Sequence, residues 1–306
     1  MNIEITRINE GIMGDPAKYI ESVNTDFLCR LQGIVKNISQ SRDERPIILL
    51  SGPSGSGKTT TALMIAKLLG ELGHKTHTLS IDNYFHSLTD EEKLLASEGK
   101  IDLESPKRVD SDLLNRQIEA LNRCEEIEIP KYDFKSSSRE KTGTTFRRNP
   151  GELVIFEGIH ALNPEVITVP DNRLYKIYVS VRTRVTCGST VLHPSRIRLL
   201  RRMIRDSKFR KRSFRETMNM FVSVESGENK YIMPYKHRSD YDIDTFMAYE
   251  LCAYKTELSS SLNELYSIPE LFETISVLEK SEALDNALIP PESLIREFIG
   301  SGEFKY

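Results

Sequence analysis

The sequence predicts an α/β fold, a parallel sheet with helices on both faces. Three observations carry that prediction. Short apolar runs alternate with longer helix-periodic stretches from Pro46 onward, a glycine-rich loop joins the first run to the first helix, and an arginine-rich helix follows the last run. The apolar runs fall at about 46–51, 76–81, 152–157 and 174–181.

Taken in order, residues 1–45 read as an N-terminal helical extension. One helix is expected after Pro16, packed by Ile20, Phe27, Leu28, Leu31 and Ile34 and ending in a polar linker. Residues 46–250 form the predicted core. Its first strand, "RPIILLS", leads through "GPSGSGKTTTA" into a helix with Ala62, Leu63, Ile65, Ala66, Leu69 and Leu72 on its apolar stripe and Gly73 as its stop. "SSSREKTGTTFRRNPG" is the most loop-like interior stretch, with hairpin-like turn residues before the strand "ELVIFEG". An arginine-rich lid helix is expected within about 194–215, and residues 251–306 read as a C-terminal helical extension, beginning in the helix-like run "TFMAYELCAYKTELSSSLNEL".

Composition narrows the function. With 39% hydrophobic and 28% charged residues in 306, the chain can bury an ample core. A formal charge of -3 argues against sequence-independent nucleic-acid binding over the whole surface, while leaving a local basic patch open. Cys29, Cys124, Cys187 and Cys252 are scattered without a C-x-x-C, so neither a zinc site nor a disulfide framework is indicated. No run approaches ~18 consecutive apolar residues, and a cytoplasmic protein without membrane contact is expected. A homo-oligomer is compatible with the sequence.

The glycine-rich loop matches G-x-x-x-x-G-K-[ST] at Gly52, Gly57, Lys58 and Thr59. Strand, loop and helix in that order predict a P-loop NTPase fold. The loop of Gly52, Pro53, Ser54, Gly55, Ser56, Gly57, Lys58, Thr59 and Thr60 would wrap a nucleotide's phosphates with its backbone N–H groups, which Pro53 lacks, Lys58 would reach the β- and γ-phosphates, and Thr59 would ligate Mg²⁺.

Three further features choose among P-loop chemistries. A guanine-specific GTPase should carry N-K-x-D, and the Asn229-Lys230 pair is followed by Tyr231 and Ile232, so that reading fails. "ELVIFEGIH" ends a strand in a lone acid, Glu157, suited to Mg²⁺ contact. "LSIDNYF" ends another at Asp82, which either accepts a substrate hydroxyl's proton or merely caps a turn. In "RIRLLRRMIRDSKFRKR", Arg198, Arg202 and Arg205 share one helix face and can neutralise a transferring phosphoryl group, or bind nucleic acid, or simply be solvated.

Together these pieces resemble the uridine kinase and phosphoribulokinase family of P-loop kinases. The matching stretches, "GPSGSGKTT", "LSIDNYF", "IDLESPKRVD", "IPKYDFKSSSR", "VIFEGIH" and "RIRLLRRMIRDSKFR", run in order over about 46–245. The C-terminal part is similar to a bacterial uridine kinase-like branch. The resemblance implies ATP and Mg²⁺ as cosubstrates and transfer to the 5′-hydroxyl of a ribonucleoside, with uridine or cytidine favoured. It implies Asp82 as base, Lys58, Arg202 and Arg205 around the transferring group, Arg198 and Arg210 on the ATP side, and Thr59 and Glu157 near the metal. It places Asp82, Phe85, Glu104, Tyr132, Ser137, Arg139 and Arg198 on the acceptor side, with Glu104 on the ribose hydroxyls.

The chain also departs from the pattern. Short pyrimidine-specific members have a His where Ser137 stands, Phe85 replaces a tyrosine, and Arg196-Ile197-Arg198 replaces Asp-Thr-Arg. Two other readings therefore stay open: a kinase for another small hydroxyl substrate such as a sugar phosphate, for which Lys107, Arg108, Lys135 and Arg139 supply cations, and a nucleotide-binding regulator touching RNA.

Overall fold

A computed structural model describes residues 1–305, apart from the side chains of Ser97 and Lys141. Tyr306, at the end of the expected C-terminal extension, lies outside the described residues. The chain opens with β1 (Asn2–Glu4), α1 (Ile5–Gly14) and α2 (Pro16–Gln40), then β2 (Ile47–Ser51), α3 (Lys58–Glu71) and β3 (Thr76–Ser80). It continues through α4 (Asp90–Ser97), α5 (Ser111–Asn122), β4 (Glu126–Asp133), β5 (Ser138–Arg147), β6 (Leu153–Glu157) and β7 (Leu174–Ser180). After β8 (Arg184–Cys187) and β9 (Thr190–Leu192) come α6 (Pro194–Arg210), α7 (Phe214–Tyr231) and β10 (Tyr241–Asp244). The last elements are α8 (Glu250–Leu258), α9 (Leu262–Tyr266), α10 (Phe272–Lys280) and α11 (Arg296–Ile299).

The central sheet runs β10-β7-β2-β6-β3 with every pairing parallel, which is the α/β class that the alternating runs predict. β2, β6 and β7 are buried along their whole length, as strands covered on both faces must be. The register sets Glu157 level with Leu50 on one side and Ser80 on the other, so the carboxyl ends of β2, β6 and β3 finish together. Ligands of open α/β sheets sit at such an edge.

Two apolar clusters cover the two faces of the sheet. One unites Ile8, Phe27 and Leu31 of the N-terminal helices, Ile48 and Ile65 of the core, and Leu278, Leu294 and Phe298 from the C-terminal part. α2 starts where Asp15 accepts a hydrogen bond from the Lys18 N–H and Pro16 fills the first turn, and it buries Ile20, Phe27, Leu31, Val35 and Ile38 along one side. Before it the structure adds β1, which pairs in parallel with β8, and α1.

Two expectations need correction. The loop expected over "SSSREKTGTTFRRNPG" is largely β5, paired antiparallel with β4 in a hairpin outside the main sheet. Most of its described residues are exposed or half-buried, so no apolar alternation marks it as a strand. The helix expected from Thr245 starts only at Glu250 and breaks at Ser259–Ser261, a 3₁₀ turn, before α9. Consecutive serines, which favour turns, interrupt it.

α6 is held in the core. Ile197, Leu199, Leu200, Met203 and Ile204 are buried together with Arg198, Arg201, Arg202 and Asp206. In this structure the arginine-rich helix is therefore closed down on its neighbours.

Candidate active site

β2 ends at Ser51, and the chain turns at once into the phosphate-binding loop. A Cβ at Gly52 would stand 2.0 Å from the Val179 carbonyl oxygen, so only glycine lets the loop pass the end of β7. Gly55 and Gly57 take positive φ, 74° and 83°, and Gly57 caps α3. The Thr245 hydroxyl holds the loop by donating to the Ser56 carbonyl at 2.7 Å. Lys58 bends back over it, its Nζ donating to the Pro53 carbonyl at 3.1 Å. Burial pushes the Lys58 pKa down, while Glu157 and Asp82 oppose that shift. All three groups therefore share one field.

Asp82 lies in a 3₁₀ turn, Ile81–Tyr84, directly after β3. The cap of that turn is the Ser80 hydroxyl, which accepts from the Asp82 N–H, so the capping role is already taken. Desolvation raises the Asp82 pKa against the pull of Lys58 and Arg108. Desolvation, and next Asp82 itself, push Glu157 up to about 7. Two carboxyls that crowd each other in this way suit a divalent cation, whose charge favours both ionised forms. Thr59, in the first turn of α3, stands at the motif's metal-ligating position, so the residues present fit Mg²⁺ carried in on a nucleotide.

The arginines of α6 reach the loop from the other side. Arg198 donates to the Ser54 carbonyl at 3.1 Å and pairs with Glu228 of α7, while Arg202 donates to the Ser54 hydroxyl. Arg205 pairs with Glu297 at 3.1 Å, and Arg210 pairs with Asp206 at 3.1 Å. Desolvation pushes Arg202 down to about 10 even with Asp206 beside it. The Nε atoms of Arg202 and Arg205 are buried with no hydrogen-bond partner among the described residues. A cation that is desolvated and under-partnered favours an anion. Arg201 is different: fully buried, it is tied to Glu250, to the Gly55 carbonyl and to Thr245.

On the acceptor side, desolvation raises the Glu104 carboxyl while Arg202 and Lys58 lower it and Asp82 raises it again. Glu104 is thus brought to the same cluster as Asp82 and Lys58. It lies against Gly227, where a Cβ would come within 2.4 Å of the Glu104 Cβ. Gly227→Ala is expected to displace Glu104 and raise the acceptor KM roughly tenfold with less than about a twofold change for ATP. Steady-state kinetics in both substrates checks it, and equal changes would refute the placement.

Phe85, Tyr132 and Phe134 form an edge-to-face aromatic cluster with ring centroids 5.1 to 6.4 Å apart, and Phe134 is 64% exposed. Arg108 lies over the rings of Phe85 and Tyr132 and donates to the Tyr132 hydroxyl at 3.0 Å. Ser137 sits in the β4–β5 turn at φ 54°, its carbonyl accepting from the Leu88 N–H. Arg139 is engaged with Asp110 at 2.9 Å. The Thr60 hydroxyl donates to Glu297.

Sequence reasoning missed Phe134, Glu228, Glu297 and His160 as neighbours of the site, and named Arg108 only as a cation for an anionic acceptor. His160 lies beside Glu104 with its ring edge-on to Tyr231, and burial pushes its pKa down to about 4, so the ring is neutral. A signal for the acids existed: buried arginines on α6 require counter-charges.

A phosphate-binding loop with carboxyls at the neighbouring strand ends fits phosphoryl transfer. The protein is a phosphotransferase of the P-loop class, with a hydroxyl-bearing acceptor. It belongs to the phosphoribulokinase / uridine kinase family, whose model matches residues 47–250. The chain is 33% identical over 198 residues to uridine kinase of Staphylococcus haemolyticus, covering 63% of this chain and 84% of that one. It is 32% identical over 202 residues to uridine kinase of Staphylococcus epidermidis, covering 65% and 86%. Among solved structures, D-glycerate 3-kinase from Cryptococcus neoformans superposes with a TM-score of 0.45 at 16% identity, over 67% of this chain and 88% of that one. Among the described residues no helix is long and apolar enough to cross a membrane.

Proposed function

We propose that the protein transfers the γ-phosphoryl group of MgATP to the 5′-hydroxyl of a ribonucleoside, with uridine or cytidine favoured. The observation that carries the reading is the meeting of Glu104 with Asp82, Lys58 and Arg202 in one desolvated cluster next to the aromatic group. A carboxylate can accept both hydroxyl protons of a ribose diol, and an exposed aromatic ring offers a face on which a base stacks.

In this mechanism Glu104 orients the ribose, and Asp82 accepts the proton of the 5′-hydroxyl as that oxygen attacks the γ-phosphorus. Lys58, Arg202 and Arg205 stabilise charge on the transferring oxygens, and Arg198 and Arg210 support the donor side. Thr59 and Glu157 would hold Mg²⁺, which supplies charge neutralisation between the phosphates when bound. Packing of α6 over the loop excludes the water that would otherwise take the phosphate.

The two other readings stand less close to the cluster. Of the four cations offered to a sugar phosphate, Arg139 is engaged by Asp110, while Arg108 lies over the aromatic rings with its Nε buried and unpartnered among the described residues, so ribose phosphates belong in the test. An RNA surface needs exposed arginines, and Arg198, Arg201 and Arg202 are buried.

Coupled ADP release with MgATP against uridine, cytidine, adenosine, guanosine, their deoxy forms and ribose phosphates tests the proposal. Stimulation by ribonucleosides supports it. Stimulation by a sugar phosphate alone, or by nothing above the no-acceptor rate, overturns it.

The raised carboxyls also set a pH dependence. Both Asp82 and Glu157 lose the ionised form as pH falls, Glu157 through about 7, and a protonated base cannot accept the hydroxyl proton. We expect kcat/KM for MgATP, which reports the free enzyme, to fall as pH drops below about 7. The kcat, which reports the loaded complex, should hold to lower pH because the bound cation favours the carboxylates. Coincident profiles would refute this.

A further inference from the structure

The stretch after α10 takes no part in the chemistry above, yet it runs along the seam between α3 and α6. Leu294 fills the space beside Gly57, 3.1 Å from where a Cβ there would lie. The Ser293 hydroxyl bonds the Tyr249 hydroxyl at 2.7 Å, Glu303 pairs with Lys67 of α3 at 2.8 Å, and the Ile299 carbonyl accepts from Lys208 of α6 at 2.8 Å. Phe298 is fully buried beneath the guanidinium groups of Arg201 and Arg205, 5.0 and 5.8 Å from its ring centre.

Glu297 stands in the middle of this seam, 9% exposed. Its Oε2 accepts from the Thr60 hydroxyl at 2.5 Å and its Oε1 from Arg205 at 3.1 Å. Its charge is close enough to act on Lys58 and Glu157. One carboxylate thus joins the first turn of the phosphate-binding helix to an arginine of α6.

We propose that Glu297 is a positioning residue of the donor site, holding Arg205 and the first turn of α3 in the arrangement that receives the nucleotide's phosphates. This rests on the reading of the loop as an ATP site. The Arg205 guanidinium is fixed on two sides, by Glu297 and by the Phe298 ring, and its Nε is buried with no partner among the described residues. Such a side chain keeps a donor ready for an anion and has already lost its rotamer freedom. An arginine ordered before the ligand arrives removes that ordering cost from binding. Thr60 lies in the first turn of α3, the end of the helix that adjoins the loop, so anchoring it steadies the backbone there.

The test is a double-mutant cycle read by binding of a fluorescent ATP analogue with Mg²⁺ and no acceptor, so an incorrect acceptor assignment leaves it intact. Glu297→Gln should weaken binding roughly tenfold, the scale of one charge-assisted contact, with an unchanged circular dichroism spectrum. Arg205→Ala should weaken it at least as much, and the double variant should bind within about twofold of Arg205→Ala alone. Losses that multiply would show that Glu297 does not act through Arg205, and tighter binding by Glu297→Gln would show that it competes with phosphate; either overturns the proposal. Should Glu297→Gln not fold, Glu297→Asp keeps the charge with a shorter reach. Binding intermediate between wild type and Arg205→Ala then supports the proposal, and wild-type binding refutes it. Failure of the wild type to bind MgATP would remove the ATP reading together with this one.

Discussion

Asp82→Asn is expected to leave MgATP binding intact while turnover with the hydroxyl acceptor falls at least ~10²-fold. The amide has the shape of the carboxyl but cannot take the proton released as the acceptor oxygen bonds to phosphorus. Binding should survive because, in the proposed mechanism, the loop's N–H groups, Lys58 and the α6 arginines hold the phosphates without Asp82. Removing a negative charge from the neighbourhood of Lys58 and Glu157 also lowers Glu157's elevated pKa, since Asp82 is one of the causes raising it. Binding titrations and single-turnover rates on the same preparation separate the two effects. Turnover within threefold of wild type would remove Asp82 from the chemistry.

The largest effect on stability is expected at Glu250. Its carboxylate accepts from Arg201 Nε and Nη2 at 2.8 and 2.9 Å, from the Tyr254 hydroxyl at 2.8 Å and from the Met247 N–H at 3.0 Å. Both members of the ion pair are fully buried, so water cannot compensate a lost partner. Glu250→Ala should destabilise the fold by about 3–5 kcal/mol, the usual cost of leaving one buried charge alone. For a chain of 306 residues that corresponds to a fall in melting temperature of about 5–8 °C. Replacing both residues by apolar side chains of similar volume should cost less than the single change, because no orphaned charge remains. Calorimetry on the two variants decides, and a single variant as stable as wild type would refute the account.

The parallel sheet was legible because β2, β6 and most of β7 are apolar runs of the kind that burial on both faces favours, and they appear within a residue or so of their expected limits. β10 was not, since four residues reading Tyr-Asp-Ile-Asp carry too few apolar positions to stand out. β5 escaped for the opposite reason to β2: it faces solvent. Lys58, Asp82 and Glu157 could be put at one sheet edge because each closes or follows a recognisable strand, whereas Glu104 rested on the family resemblance alone. Glu297 could not, because 237 positions separate it from Thr60 and no local pattern couples the two. Arg198, Arg202 and Arg205 could be put on one face from helical spacing, but the acids that engage them come from α7 and the C-terminal segment, which spacing along α6 says nothing about.

The contacts that join the chain's two ends to its centre have a kinetic consequence. Asn9 bonds the Lys280 carbonyl 271 positions away, Thr186 bonds the Ile3 carbonyl 183 positions away, and Thr60 meets Glu297 across 237. Contacts this distant in sequence form only after long loops close, and proteins rich in them fold slowly. Refolding from denaturant should therefore show the phosphate-binding loop among the last regions to gain hydrogen-exchange protection, because the segment that clamps it is the far end of the chain.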